Sequence, residues 1–301
     1  MKAVYSWMQD PEFLRALMHG STYMNGGSNH DVWRIAGLDP KQDYVLRVNK
    51  SKQSVFIDML KPPVSRICDI PDTDARAAFP MVEFYSAENV QIADIQPEMR
   101  GTSLALTEHG LKQLDATQST SALLKTSQCI SAMPHSFFTQ VIRDAIEIED
   151  HGFAIDTKPT NFMLLDNGRI GFVDLTPGRK DYRVSPCMLA SALAGSATQL
   201  RSRLTTRAER GLAERQEEVI RAKIIHACDQ LGLAYTFYDH EREKEDYLRA
   251  KFGIAKPASG IRPITVVGQV CTGHGISAAD IHLEAPNSMP VRRCGQRPSF
   301  S

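Results

Sequence analysis

Residues 151–175, HGFAIDTKPTNFMLLDNGRIGFVDL, constrain the fold of this chain more than any other stretch. Two apolar runs, FMLL (162–165) and RIGFV (169–173), flank Asp166-Asn167-Gly168, the residue types of a tight hairpin turn. Closing that hairpin brings Asn161, at the head of the first run, beside Asp174, which follows the second. Asp156 lies upstream on a loop whose backbone Pro159 restricts. Asp156, Asn161 and Asp174 are therefore expected to converge.

Taken singly, Asp and Asn are ordinary turn residues and Lys158 an ordinary surface residue. Their order and intervals, together with the strand-turn-strand context, point further. Phosphoryl transfer from a nucleotide needs one carboxylate to orient the attacking hydroxyl, and an amide with a second carboxylate to hold magnesium under the phosphates. This stretch carries all three.

IDTKPTNFMLL, followed by Asp174, resembles a Ser/Thr kinase catalytic loop with its metal-binding Asp, and so the protein-kinase-like superfamily. The resemblance implies an α+β, bilobal protein-kinase-like fold, with a β-rich N-lobe and a mainly helical C-lobe, and ATP and Mg2+ as cofactors. It implies Asp156 as catalytic base, Lys158 as phosphate contact, and Asn161 and Asp174 as metal ligands. Two departures stand out: Ala154-Ile155 replaces the usual His-Arg, and Leu175-Thr176 replaces the usual Phe-Gly. In the family that Arg grips a phosphorylated activation loop. Few residues separate Asp174 from Ser185-Pro186, so activity without loop phosphorylation is expected.

Upstream, Phe13, Leu14, Leu17 and Met18 have the spacing of a short amphipathic helix within residues 1–20. STYMNGGSNHDVWRIAG (21–37) reads as two strand-like pieces joined through Gly26-Gly27-Ser28, and DYVLRVNK (43–50) as a buried strand. A Gly-Gly-Ser turn is weak as a signal by itself, but glycine lets backbone N–H groups approach phosphates. Ahead of the Val32-Trp33 strand it resembles the nucleotide loop of choline-kinase and aminoglycoside-kinase relatives, which makes Gly26, Gly27 and Ser28 candidate nucleotide contacts. The cation for the α- and β-phosphates is Arg47, within the apolar strand, or Lys50 at its end, with Arg47 favoured. For the family's helix-borne acidic partner of that cation, Asp58 in SKQSVFIDMLK (51–61) and the segment DARAAF (74–79) both stay open. MVEFYS (81–86) and VQIADIQ (90–96) read as a hairpin. PEMRGTSL (97–104) reads as a connector corresponding to the hinge, with Glu98 as a further nucleotide-binding candidate.

Downstream, SFFTQVIRDAIEIEDHG (136–152) reads as a helix stopped by Gly152, PCMLASALAGSATQL (186–200) as one buried helix, and residues 205–232 as a long amphipathic helix whose Arg and Glu residues form a solvated face. From 254 onward Pro, Gly, Ser, His and Arg rise and periodicity fades, leaving one short candidate strand at 264–270 in a poorly ordered tail. The expected division is an N-lobe at 1–98, a C-lobe at 99–253 and a tail at 254–301.

Composition bounds the partners. The 301 residues carry a formal net charge of zero, so neither nucleic acid nor a strongly basic partner is indicated. Cys68, Cys129, Cys187, Cys228, Cys271 and Cys294 show no metal or disulfide spacing, and neither a signal-peptide core nor a run of about 18 apolar residues occurs. A cytoplasmic protein without membrane contact is expected, working in its own cell or secreted into a host cytosol. Lys158, the short activation segment and the missing His-Arg resemble compact Ser/Thr kinases that bacteria inject as effectors, which implies a protein substrate, a host protein, and leaves room for an activating partner. The alternatives are a small-molecule kinase of the choline or aminoglycoside type and a nucleotide-binding pseudokinase scaffold.

Overall fold

The computed structural model describes residues 20–26, 30–39, 42–52, 64–67, 77–85, 89–107, 110, 113–177, 184–236 and 239–256. Met1–Val267 make one compact unit and Gly268–Ser301 a second, the latter wholly outside the described residues. The helix expected within 1–20 lies outside them except for its last residue, as do Gly27, Ser28, Asp58 and the tail strand at 264–270.

Six strands build the N-terminal part: β1 (Thr22–Gly26), β2 (His30–Asp39), β3 (Gln42–Asn49), β4 (Val64–Ile67), β5 (Val82–Tyr85) and β6 (Gln91–Pro97). They form one antiparallel sheet in the order β1-β2-β3-β6-β5-β4. Side chains alternate across a strand. Tyr44, Leu46 and Val48 of β3 thus pack with Val82, Phe84, Ala93 and Ile95 into one core, which leaves Arg47, Asp94 and Glu83 on the opposite face. The expected β1–β2 and β5–β6 hairpins are both present. β4 is an edge strand that the prolines around it, Pro62-Pro63 and Pro71, did not suggest.

The C-terminal part is mainly helical: α1 (Ala116–Ala132), α2 (His135–Asp150), α3 (Pro186–Leu193), α4 (Gly195–Arg201), α5 (Arg207–Leu231) and α6 (Asp239–Phe252). The described residues thus give the α+β, bilobal arrangement expected of a kinase-like chain. Local signals set the helix ends. Asp115 and Gln118 close a capping box on α1, Thr206 caps α5, and Gly152 and Gly232 take the positive φ that ends α2 and α5. α5 packs against α1, α2, α3 and α4. Its Ile220 and Ile224 share a core with Phe138, Ile142, Phe162, Phe172 and Leu189.

Three small pairings complete this half. β7 (Gly101–Ser103), from within the expected connector, pairs with β9 (Phe162–Leu165), and β9 pairs with β10 (Ile170–Phe172); β8 (Phe153–Ala154) pairs with β11 (Thr176–Pro177). Ala77 and Phe79, ahead of β5, also belong to this core. Ala78 donates its N–H to the Phe172 carbonyl at 2.8 Å, and Phe79 meets Phe153 edge-on at 4.7 Å.

Two expectations are corrected. The helix expected at 186–200 is two helices, broken at Ala194 where Gly195 lies against Pro159; a Cβ on Gly195 would stand 2.2 Å from Pro159 Cβ. Nor is α5's charged face wholly solvated. Glu217 and Arg221 are buried, with Arg221 Nε 3.0 Å from Glu217 Oε1 and its other nitrogens on Tyr235 and Ser191.

Candidate active site

Two antiparallel pairings converge on Asp174. In β9–β10, Phe162 faces Phe172, and the next step outward is closed by the Val173 N–H donating to the Asn161 carbonyl at 2.9 Å. In β8–β11, Ala154 faces Thr176, so the chain leading to Asp156 and the chain leaving Asp174 run side by side there. The burial of Ile155 and Leu175 anchors both approaches in the core. Asp156, Asn161 and Asp174 thus meet at the shared end of two short pairings.

Asp174 has φ 59°, the left-handed region that non-glycine residues seldom occupy. Such conformations persist where the surrounding structure over-determines them, and they cluster at functional sites. Here the flanking pairings on both sides hold it.

Around Asp156 the loop is closed by polar contacts. Lys158 places Nζ 2.9 Å from Asp156 Oδ2 and donates its backbone N–H to Oδ1 at 3.2 Å. The side-chain hydrogen bond to Asp156, and then the Asp156 charge, raise the Lys158 pKa, so the ammonium stays charged. Pro159 opens the short 3-10 turn ending at Asn161, where its missing N–H costs nothing. Asn161 Nδ2 donates to the Asp156 carbonyl at 3.4 Å, which leaves Oδ1 for a cation.

The opposite wall comes from the sheet. Arg47 sends Nη1 to Asp174 Oδ1 at 2.6 Å, while Nε and Nη2 clamp Asp94 at 3.0 and 2.8 Å. Burial opposes the guanidinium charge, and Asp94 and Asp174 more than offset it, so its pKa is raised. Lys50 goes elsewhere, its Nζ lying 3.6 Å from Asp31 on β2. Gly26 ends β1 opposite Asp31. Half-buried His30, at the start of β2, has its pKa lowered by burial and then by Arg47. Glu98 donates its N–H to the Asp43 carbonyl at 2.8 Å, and its carboxylate takes Arg34 Nε and Nη2 at 2.7 and 2.5 Å. These groups of Glu98 therefore tie the segment after β6 to the sheet.

No family model and no curated protein matches the chain. Among solved structures it is similar to a rhoptry kinase from Toxoplasma gondii, with 10% identity and a TM-score of 0.35 over 77% of this chain and 80% of that one. So distant a likeness carries no weight, and the chemistry has to be read from the site itself.

The donor set suits magnesium. Asp174 keeps one carboxylate oxygen beyond its contact with Arg47, and Asn161 keeps its Oδ1. Magnesium binds through few hard protein oxygens and fills its remaining positions with water and phosphate. Asp94 and His30 escaped the sequence reading. The available signal for Asp94 was an acid in the middle of the apolar strand VQIADIQ; nothing local marked His30.

Proposed function

We propose that this chain is an ATP- and magnesium-dependent phosphotransferase acting on an alcohol group, with the hydroxyl of Ser or Thr in a protein as the acceptor. The observation that carries the reading is the convergence of Asp156, Asn161 and Asp174 under the Arg47 guanidinium. Magnesium, held by Asn161 and Asp174, would neutralise phosphate oxygens of the bound nucleotide. Asp156 orients the acceptor hydroxyl and takes its proton. Lys158, ion-paired to Asp156, sets a positive charge where the transferred group would gather negative charge. Arg47 reaches towards the phosphates from the opposite wall, and the Gly26-Gly27-Ser28 sequence supplies the residue types for backbone contacts to them.

A protein acceptor, and the role of an effector delivered into a host cytosol, are supported by Lys158 beside the base and by Ile155, whose buried side chain cannot bind a loop phosphate. No helix of the described residues is long and apolar enough to cross a membrane. A second reading, a small-molecule kinase, is favoured by one observation: the strand cation is an arginine. The acceptor decides between them. Purified protein with γ-labelled ATP and magnesium is incubated alone, with host-cell lysate, and with simple alcohols and aminoglycosides. Label on lysate protein supports the first reading, label on a small alcohol or aminoglycoside the second, and nucleotide binding without any transfer would leave only a scaffold.

A further inference from the structure

Asp94 is an expensive residue where it stands. It is 1% exposed, on the central strand β6, between Ala93 and Ile95 of the sheet's apolar core. Removing a charge from water costs several kcal/mol, and a buried ion pair is often no more stable than apolar residues of similar volume. Stability alone therefore gives a weak reason for it. Its geometry gives a stronger one.

Arg47 and Asp94 are direct register partners across β3 and β6, so their side chains rise from the same face. The carboxylate takes two guanidinium nitrogens, Nε at 3.0 Å and Nη2 at 2.8 Å, and Gln91 Nε2 adds a contact to Oδ2 at 3.4 Å. A guanidinium is planar, so a two-point clamp on one edge fixes where the rest of it points. The remaining nitrogen, Nη1, is aimed at Asp174.

We propose that Asp94 is the positioning residue for Arg47, a carboxylate on the adjoining strand of the same sheet that sets the phosphate-directed cation against Asp174. The inference rests on the phosphotransfer reading above and supplies the acidic partner that the sequence left open between Asp58 and the 74–79 segment. It also has a regulatory consequence. Both groups are fixed by one strand pairing, so the cation is aligned once the sheet has folded, and no separate element has to swing in to align it.

The test uses the full chain and three isosteric or near-isosteric variants: Asp94→Asn, Asp94→Glu, and Glu83→Gln as control. Glu83 is Asp94's register partner on β5 and is also buried, but its carboxylate accepts a hydrogen bond from the Tyr85 hydroxyl at 2.7 Å. Calorimetric titration compares a non-hydrolysable ATP analogue with magnesium against adenosine. Asp94→Asn should weaken the triphosphate by about tenfold or more while leaving adenosine within about twofold, the contrast expected of a lost phosphate contact. Asp94→Glu should recover part of the loss, Glu83→Gln should bind as wild type, and Asp94→Asn should add nothing in an Arg47→Ala background. Equal losses for both ligands, unchanged triphosphate affinity, or a further loss in the Arg47→Ala background would overturn the assignment. NMR of the Arg47 Nε–H gives a readout that needs no ligand. A protected resonance in the wild type that is lost in Asp94→Asn supports the clamp; one indifferent to the substitution sinks it, whatever becomes of the phosphotransfer reading. A wild type with this clamp that binds no nucleotide would instead sink the phosphotransfer reading and, with it, the phosphate-directed role given to Asp94.

Discussion

Asp174 is held by Arg47 and lies between the β9–β10 and β8–β11 pairings, and its left-handed backbone stores of order 1–3 kcal/mol that those contacts must offset. Its neighbours divide the work, which separates two variants. Asp174→Ala should lose magnesium-dependent nucleotide binding, whereas Asp156→Ala should keep nucleotide affinity and lose turnover by about 10²–10⁴-fold; titration and single-turnover kinetics check the two expectations. The cations divide as well. Arg47→Ala strands a buried Asp94 and should cost about 3–5 kcal/mol of stability along with a raised KM for ATP. Lys50→Ala breaks an exposed pair and should cost at most about 1 kcal/mol with KM little changed; denaturant unfolding and steady-state kinetics test the ranking, and the reverse order would move the phosphate contact to Lys50. Asp156, Asn161 and Asp174 were legible because one hairpin and one short loop join them. Asp94 was not, because its partner Arg47 reaches it only through sheet pairing, which no local pattern encodes.

At the scale of elements, the sharpest constraint is the contact between α4 and the loop carrying Asp156. Gly195→Ala would put a Cβ 2.2 Å from Pro159 Cβ and 2.6 Å from its Cγ, with Lys158 and Asn161 on either side of that ring's loop. Overpacking of this kind costs about 1–3 kcal/mol, and displacement of a reacting group by about 1 Å costs up to about 10²-fold in rate. Gly195→Ala should therefore lower both melting temperature and turnover. Gly211→Ala, on an open face of α5 where nothing lies within 4 Å, should raise stability by about 1 kcal/mol through helix propensity and leave turnover unchanged. Elements with periodic patterns and end signals were legible: β3 from Val45, Leu46 and Val48, α2 from its apolar stripe and Gly152, and α5 from its apolar stripe. The α3–α4 break was not, since a run of small apolar residues fits one helix as well as two and the decision lies with Pro159, distant in sequence. β4 and the buried Glu217–Arg221 pair were missed for the same reason, as each owes its place to a partner elsewhere in the chain.

For the molecule as a whole, the sheet and the helical half meet at the site through Arg47 and Asp174, and neither partner waits on a phosphate. Ile155 is buried in the core and offers no charge to a loop phosphate, Ser185 is buried, and Thr176 is paired in β11. Phosphatase-treated protein should retain its activity, and so should the triple variant Thr176→Ala, Tyr182→Phe, Ser185→Ala; a large loss in the triple variant, restored by acidic residues at those positions, would show control through loop phosphorylation. The bilobal architecture was legible from element order, and the contribution of Ala77 and Phe79 to the helical half's core was not. The most direct measurement for the central claim is magnesium-dependent transfer of label from γ-labelled ATP by wild type and Asp156→Ala side by side, at equal nucleotide occupancy. The account predicts transfer by the wild type and a fall to near background in the variant; equal transfer by both, or none by a wild type saturated with nucleotide, would contradict it.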